Sequence, residues 1–284
     1  MPIEVKHLNH TYMQGTPFEA HALKDVNLTV HDGEFIGIIG HTGSGKSTLI
    51  SHLNALDKPE AGTVFVNGVD LGEKGADLNA IRKTVGLVFQ YPENQLFEET
   101  VARDIAFGPK NLKLDEKEVA ARVKRAMDAV GLDESFAEKS PFDLSGGQKR
   151  RVAIAGVLAM EPSILILDEP AAGLDPAGRR GMLDLIKAIH TRGVTVIMVS
   201  HSMDDVGRLC DRLYVLDHGK IAFTGTPAEV FRHGAELRAI GLDVPGCAKL
   251  VRALREKGMD IPEDIYAMED VERAILAELG RKGA

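Results

Sequence analysis

Gly40-His41-Thr42-Gly43-Ser44-Gly45-Lys46-Ser47 fits the spacing G-x-x-x-x-G-K-[ST] and lies between an apolar run, Phe35 to Ile39, and a helix-like stretch, Ser47 to Leu56. Strand, glycine loop and helix in that order are the setting the spacing needs to bind phosphate. The glycines let the backbone curl until successive amide N–H groups face one anion, and the helix N-terminus behind them adds partial positive charge. Lys46 is expected to reach the β- and γ-phosphates, and the Ser47 hydroxyl to ligate Mg²⁺. An ordinary glycine turn would explain the loop alone, but not the loop with both of its flanks.

Working outward, apolar runs mark further strands of an α/β core. Val85 to Phe89 is short, β-rich and ends in Gln90; Ile164 to Leu167 ends in Asp168-Glu169-Pro170; Thr195 to Val199 delivers Ser200 and His201. Continuous apolar runs are the signature of strands buried on both faces, and ligands bind at the carboxyl ends of such strands. Two adjacent acids closing an apolar strand are costly unless they do chemistry. Asp168 is expected to hold Mg²⁺ through its water, and Glu169 to accept a proton from an attacking water or orient it. His201 sits where a group facing the phosphate loop would be.

The front of the chain is β-rich. Ile3 to Leu8 alternates, Leu23, Val26, Leu28 and Val30 continue a half-buried pattern, and Thr63 to Val66 closes on Asn67-Gly68. Tyr12 is read as lying in a loop, where its ring could stack on a purine. Tyr91 to Phe107 reads as irregular and polar. Asp115 then caps a helix, with Glu118 three residues on and Val119, Val123, Met127 and Val130 on one face before Gly131. Residues of about 91–160 are therefore expected to be a helical insertion.

That insertion ends in Leu144-Ser145-Gly146-Gly147-Gln148, followed by a helix over Lys149 to Met160. A second glycine-rich helix start offers the same bare amides and dipole as the first. Lys149, Arg150 and Arg151 are read as a solvated helix face. Leu174-Asp175 falls in the next loop, before a helix marked by Met182, Leu185 or Ile186 and Ile189. Leu213 to Leu216 and Lys220 to Phe223, joined by Asp217-His218-Gly219, are expected to form a hairpin, and Thr226-Pro227-Ala228-Glu229 starts another helix. Beyond Ala235 the pattern is helical, with too little apolar surface to fold alone, so this tail is expected to pack on the core or on a partner.

Composition sets the outer bounds. The 284 residues carry 42 acidic and 34 basic side chains, a formal charge of −8, which disfavours nucleic acid as a general partner. The two cysteines, Cys210 and Cys247, are far apart and outside any metal-ligand spacing. Met1 to Tyr12 holds no apolar core of signal-peptide length, and no stretch of 18 apolar residues occurs, so a membrane role is expected to come through a partner.

The ordered set of glycine loop, Gln90, LSGGQ at 144–148, ILILDEP at 164–170, Asp175 and His201 resembles the nucleotide-binding subunit of ABC transporters, over about residues 1–235. LSGGQ separates that family from other P-loop proteins. The resemblance implies a P-loop NTPase (ABC ATPase) fold with a β-rich N-terminal subdomain, a helical subdomain and a C-terminal helical extension at 236–284. It implies ATP held by Gly40 through Thr48, adenine stacking by Tyr12, and Gln90 as a sensor of Mg²⁺ and of the membrane subunit. It implies His201 as the γ-phosphate switch and Asp175 in the loop between paired ATPases. Ser145, Gly146, Gly147 and Gln148 would then close the partner's ATP site rather than their own. Ala171 departs from the family, many members of which carry Thr after DEP.

QYPENQLF at 90–97, Phe107-Gly108-Pro109, Ser140-Pro141-Phe142 and the helical tail look like the ATPases of energy-coupling factor transporters, importers of vitamins and of nickel or cobalt. GHTGSGKST at 40–48 with RRVAIAGVLAMEP at 150–162 looks most like the second ATPase of the vitamin-type group. This implies three partners: a second, homologous ATPase in a heterodimer, a transmembrane coupling subunit, and a membrane-embedded substrate-binding subunit. It also implies a place on the cytoplasmic face of the membrane. Glu93, Glu98 and Glu99 are expected to line a groove for arginine-bearing coupling helices. The competing readings are an ATPase of another ABC importer, a soluble ABC ATPase acting on DNA or ribosomes, and a catalytically dead interaction module. The tail and QYPENQLF argue against the first, and the lack of a long coiled-coil insertion or second cassette against the second. The presence of Lys46, Asp168, Glu169 and His201 argues against the third.

Overall fold

Alternating apolar positions fold the first thirty residues into two antiparallel strands, β1 (Ile3–Tyr12) and β2 (Ala20–Val30), in the computed structural model, which describes residues 2–282. Residues 1, 283 and 284, the outer ends of the two segments expected from sequence, lie outside the described residues. β3 (Phe35–Ile39) is buried at every position, and α1 (Lys46–Leu53) starts inside the glycine loop. β4 (Val64–Val66) and β5 (Val69–Asp70), joined at Asn67-Gly68, complete a sheet ordered β2-β1-β4-β5. α2 (Leu78–Thr84), capped by the Asp77 side chain, leads into β6 (Val85–Val88).

Three helices follow, α3 (Val101–Asn111), α4 (Glu116–Ala129) and α5 (Gly146–Leu158), packed on one another. Asp115 caps α4 as expected, accepting from the Glu118 N–H at 2.8 Å. Residues 91–107, by contrast, are not irregular throughout. Pro92–Gln95 forms a 3₁₀ turn, and α3 begins at Val101 with Thr100 as its cap. Its polar face and Pro109, tolerated near the C-terminal end, hide the periodicity of the buried Val101, Ile105 and Ala106.

The core then alternates strand and helix: β7 (Ile164–Asp168), α6 (Pro176–Thr191), β8 (Thr195–Val199), α7 (Met203–Leu209) and β9 (Arg212–Asp217). β10 (Lys220–Gly225) returns antiparallel to β9 as the expected hairpin, and α8 (Pro227–Arg232) starts with Thr226 and Glu229 in a reciprocal capping box. The second sheet is ordered β10-β9-β3-β8-β7-β6, parallel from β9 to β6. Its faces divide by alternation. Ile36 and Ile38 pack with Leu49, Leu53 and the four-stranded sheet, while Phe35 and Ile39 face a larger core shared with α3 to α7. Because the strands are parallel, the loops after β3, β6, β7, β8 and β9 all emerge at one edge.

The C-terminal segment forms α9 (Gly234–Ala239), α10 (Gly246–Glu256) and α11 (Met268–Lys282). Cys247, Val251, Ile261 and Val271 make a small cluster of their own. It docks on the core through the Tyr266 ring against Phe231, centroids 5.5 Å apart, and through the Gly246 N–H donating to Asp204 at 2.8 Å. Leu250, Leu276 and Leu279 remain exposed. Both cysteines are buried and free. Among the described residues no helix is long and apolar enough to cross a membrane.

Candidate functional site

The glycine loop is shaped by close backbone approaches. Gly45 takes φ +106, and a Cβ there would lie 2.5 Å from the Ala22 carbonyl oxygen; one on Gly40 would lie 2.4 Å from the Leu216 carbonyl oxygen. Only glycine fits either place. Lys46 folds back along the loop, its Nζ donating to the carbonyls of Gly40 at 2.7 Å and His41 at 2.9 Å. Burial pulls the Lys46 ammonium below its usual range, opposed by the charges of Glu169 and Asp168. Among the described residues, the buried Ser44 hydroxyl has no hydrogen-bond partner, an orphaned polar atom inside the loop.

Asp168 closes β7 and faces Ser47 at the start of α1. Burial and then the neighbouring Glu169 raise its carboxyl above the ordinary range, with Lys46 and Ser47 pulling the other way. An oxygen-only pair, one of them a carboxylate short of positive charge, suits a hard divalent cation. Glu169 takes φ +49, costly for a residue with a side chain, and is held there by its N–H donating to the Val199 carbonyl at 3.0 Å. Its Oε2 lies 2.8 Å from Nδ1 of His201, whose side chain is 71% exposed. Gln90, Glu169, Ser200 and His201 share the lining of one cavity of about 220 Å³.

Tyr12 is not in a loop. It is the last residue of β1, paired with Ala20, and its hydroxyl lies 3.1 Å from that of Thr48. Its ring stands edge-on to His10, centroids 4.4 Å apart, and is 43% exposed. The strand runs longer than the alternation suggests because its register with β2 shifts three times, which breaks the period-2 pattern. His41 and Thr42 follow Gly40 at the head of the loop, Gly43 has open space above it, and Thr48 lies buried in the first turn of α1.

Ser145 caps α5, accepting from the Gln148 N–H at 3.4 Å while the Gln148 side-chain oxygen accepts from the Ser145 N–H at 2.9 Å. Gly146 and Gly147 are clear of neighbours. These four residues do not line the cavity shared by Gln90 and Glu169. Asp175 caps α6 by accepting from the Gly178 N–H at 2.6 Å, a structural duty that its place in a loop did not reveal.

The basic run at 149–151 is where sequence reasoning failed. Arg150 is no solvated cation: its side chain is 2% exposed and bound to Glu93 through Nε–Oε2 at 3.0 Å and Nη2–Oε1 at 2.7 Å. Its Nη1 donates to the carbonyls of Pro170 and Ala172. Arg151 also points inward, onto the Val130 carbonyl. Glu93 therefore is not free to line an acidic groove. Burial alone would raise its carboxyl, but the Arg150 hydrogen bonds, a backbone hydrogen bond and the Arg150 charge together hold it below the usual range. The available signal was spacing, since Arg150 shares a stripe of α5 with the buried Ile154. A second missed contact joins Arg179 to Asp205 at 2.7 Å and to the Ser202 hydroxyl, beside His201.

The sequence model of the ABC transporter family matches residues 23–172, from β2 through the glycine loop and LSGGQ to the acids after β7. The chain belongs to the ABC transporter family. Within it, the chain is an ATPase of the energy-coupling factor branch. It is 56% identical over 286 aligned positions, all of this chain and 99% of the relative, to the energy-coupling factor transporter ATP-binding protein EcfA2 of Clostridioides difficile. Among solved structures, cbiO1 from Clostridium perfringens, described as part of the ABC transporter complex cbiONQ, superposes with a TM-score of 0.75 at 38% identity. The match covers 90% of this chain and 98% of that one. The ATP-binding cassette MJ0796, described as a dimer in a post-hydrolysis state bound to ADP and Pi, superposes with a TM-score of 0.70 at 31% identity, over 79% of this chain and 98% of that one.

Proposed function

We propose that this ABC ATPase drives uptake of a vitamin or another micronutrient through an energy-coupling factor transporter, by closing on ATP against a second, homologous ATPase and reopening after hydrolysis. The observation that carries the reading is the convergence of Lys46, Ser47, Asp168, Glu169 and His201 at one edge of one parallel sheet, with the glycine-rich start of α5 outside the cavity that Gln90, Glu169 and His201 line. On this reading each chain holds ATP from one side, with Tyr12 near the base and Gly40 through Thr48 around the phosphates. The Ser145–Gln148 helix start serves the neighbour's site. Asp175 lies in the segment between the two ATPases. Residues 1–235 act as the ATPase domain, with the helical insertion at about 91–160, and 236–284 as a pairing extension on which exposed Leu276 and Leu279 offer apolar contact.

Mg²⁺ would be held by the Ser47 hydroxyl and Gln90, with Asp168 acting through a bound water, and would supply positive charge against the β- and γ-phosphates. The rest is the work of side chains. Lys46 leaves its two loop carbonyls for the phosphate, exchanging neutral acceptors for charged ones. Glu169, fixed in a strained backbone, accepts a proton from the attacking water, and His201 at 2.8 Å orients that carboxylate and reports the γ-phosphate. The membrane-facing partners are a transmembrane coupling subunit and a membrane-embedded substrate-binding subunit, which would place the chain at the cytoplasmic face as a peripheral subunit. The name borne by the Clostridioides difficile relative and the cbiONQ description of the cbiO1 structure support this assembly.

Copurification of the chain from its own membranes, with its partners identified by mass spectrometry, tests the proposal. Recovery of a second ATPase with a small vitamin-binding membrane protein is the expected result. Recovery of ribosomes or DNA instead would overturn it.

A further inference from the structure

At the head of the glycine loop, His41 faces the turn of the β9–β10 hairpin in a way that ATP binding does not explain. His41 Nδ1 lies 2.8 Å from the Thr42 carbonyl oxygen. A carbonyl can only accept, so Nδ1 carries the ring proton and, in the neutral imidazole, Nε2 presents a lone pair. That lone pair points at another acceptor, the Asp217 Oδ1, 3.1 Å away. Two acceptors at hydrogen-bond distance need a positive charge between them, either the second ring proton of an imidazolium or a metal ion. His218 stands on the other side, its Nε2 3.8 Å from the same Asp217 oxygen, and its ring centroid lies 4.9 Å from that of His41.

We propose that His41 Nε2, the Asp217 carboxylate and His218 Nε2 form a binding site for a divalent transition metal of the zinc class, separate from the Mg²⁺ of the phosphate site. One ligand atom from each residue lies within 4.8 Å of the other two. Around a tetrahedral zinc with bonds of about 2.0–2.1 Å, ligand atoms stand roughly 3.3 Å apart. The His41–Asp217 pair already meets that spacing, and the 80% exposed His218 side chain can close the rest by rotating. The Nδ1–H to carbonyl bond of His41 is the outer contact that fixes a metal-binding histidine in its tautomer. Two imidazoles and one carboxylate select zinc, cobalt(II) or nickel(II) over Mg²⁺, and three protein ligands leave a position open to water.

The hairpin is already joined to the loop through the Gly219 N–H, which donates to the Ser44 carbonyl at 3.0 Å. A metal at this site adds a second tie, between His41 and the turn.

The test is equilibrium binding of Zn²⁺ to the full chain, by competition with a chromophoric chelator, together with the cobalt(II) absorption spectrum. His218→Asn is the principal variant, because asparagine tolerates the left-handed turn and lacks the imidazole. The wild type should bind one equivalent with the cobalt spectrum of a mixed nitrogen and oxygen site. His218→Asn and Asp217→Asn should each bind at least tenfold more weakly while keeping the wild-type melting temperature. No stoichiometric binding by the wild type, or equal binding by His218→Asn, would overturn the proposal, whatever ATPase activity the preparations show.

Discussion

The guanidinium of Arg150 and the carboxylate of Glu93 meet face to face through two contacts of 3.0 and 2.7 Å, at side-chain exposures of 2% and 19%. The pair joins the helix that begins with LSGGQ to the turn that follows Gln90. Through the Pro170 and Ala172 carbonyls it also reaches the loop that carries Glu169. Three segments of the proposed site thus share one buried cation.

Removing that cation leaves a partly buried carboxylate and two carbonyls without their donor. Arg150→Ala should cost about 3 kcal/mol of stability, the range seen when a buried pair loses one member. Arg150→Lys should recover only part of it, because a single ammonium cannot replace the bidentate fork. Urea unfolding of the two variants, with Glu93→Gln and the Arg150→Ala/Glu93→Gln double variant to complete a cycle, gives the coupling. A coupling near zero would mean that the two side chains do not depend on one another.

Asp168 yields a prediction of opposite sign. Its carboxyl is raised in the folded chain, first by burial and then by Glu169, so the native state takes up its proton before the unfolded chain does. Stability from this group therefore grows as pH falls from neutral through the raised value toward the ordinary ~3.9. Asp168→Asn should remove that pH dependence. In the absence of nucleotide it should raise the melting temperature at neutral pH, because the uncompensated buried charge is gone. Thermal melts across the acidic range, without nucleotide or Mg²⁺, check both points.

Ser145→Arg places a long cation on a helix start that is proposed to meet the neighbour's phosphates. Binding of ATP by the single chain should be unchanged, because Ser145 and Gln148 satisfy one another outside the cavity of Gln90 and Glu169. Turnover by the assembled pair should fall by at least tenfold. Loss of the cap costs about 1 kcal/mol in its own right, so the single-chain binding measurement also shows that the variant is folded.

The site was legible where the chain obeys a simple rule. A parallel strand covered on both faces is a continuous apolar run, and whatever ends it stands at the sheet edge, which is why Gln90, Asp168, Glu169 and His201 could be placed by eye. α3 escaped because Pro109 and a charged outer face conceal its period, and β1 because its register slips against β2. Arg150 escaped for a different reason. Three consecutive basic residues look solvated, and only the tertiary arrangement supplies the carboxylate and carbonyls that make burial of one of them affordable. The double use of Asp175, a loop residue that is also a cap, was invisible until α6 was seen to start at Pro176.

The central claim, that Glu169 acts on water in an ATP site shared by two subunits, is tested most directly by ATP turnover of the assembled transporter carrying Glu169→Gln. The substitution keeps the shape of the side chain and removes its capacity to accept a proton. Turnover should drop by about 10²–10⁴, with ATP still bound and the two ATPases held closed. Turnover close to that of the wild type, in a complex shown to be intact, would contradict the account.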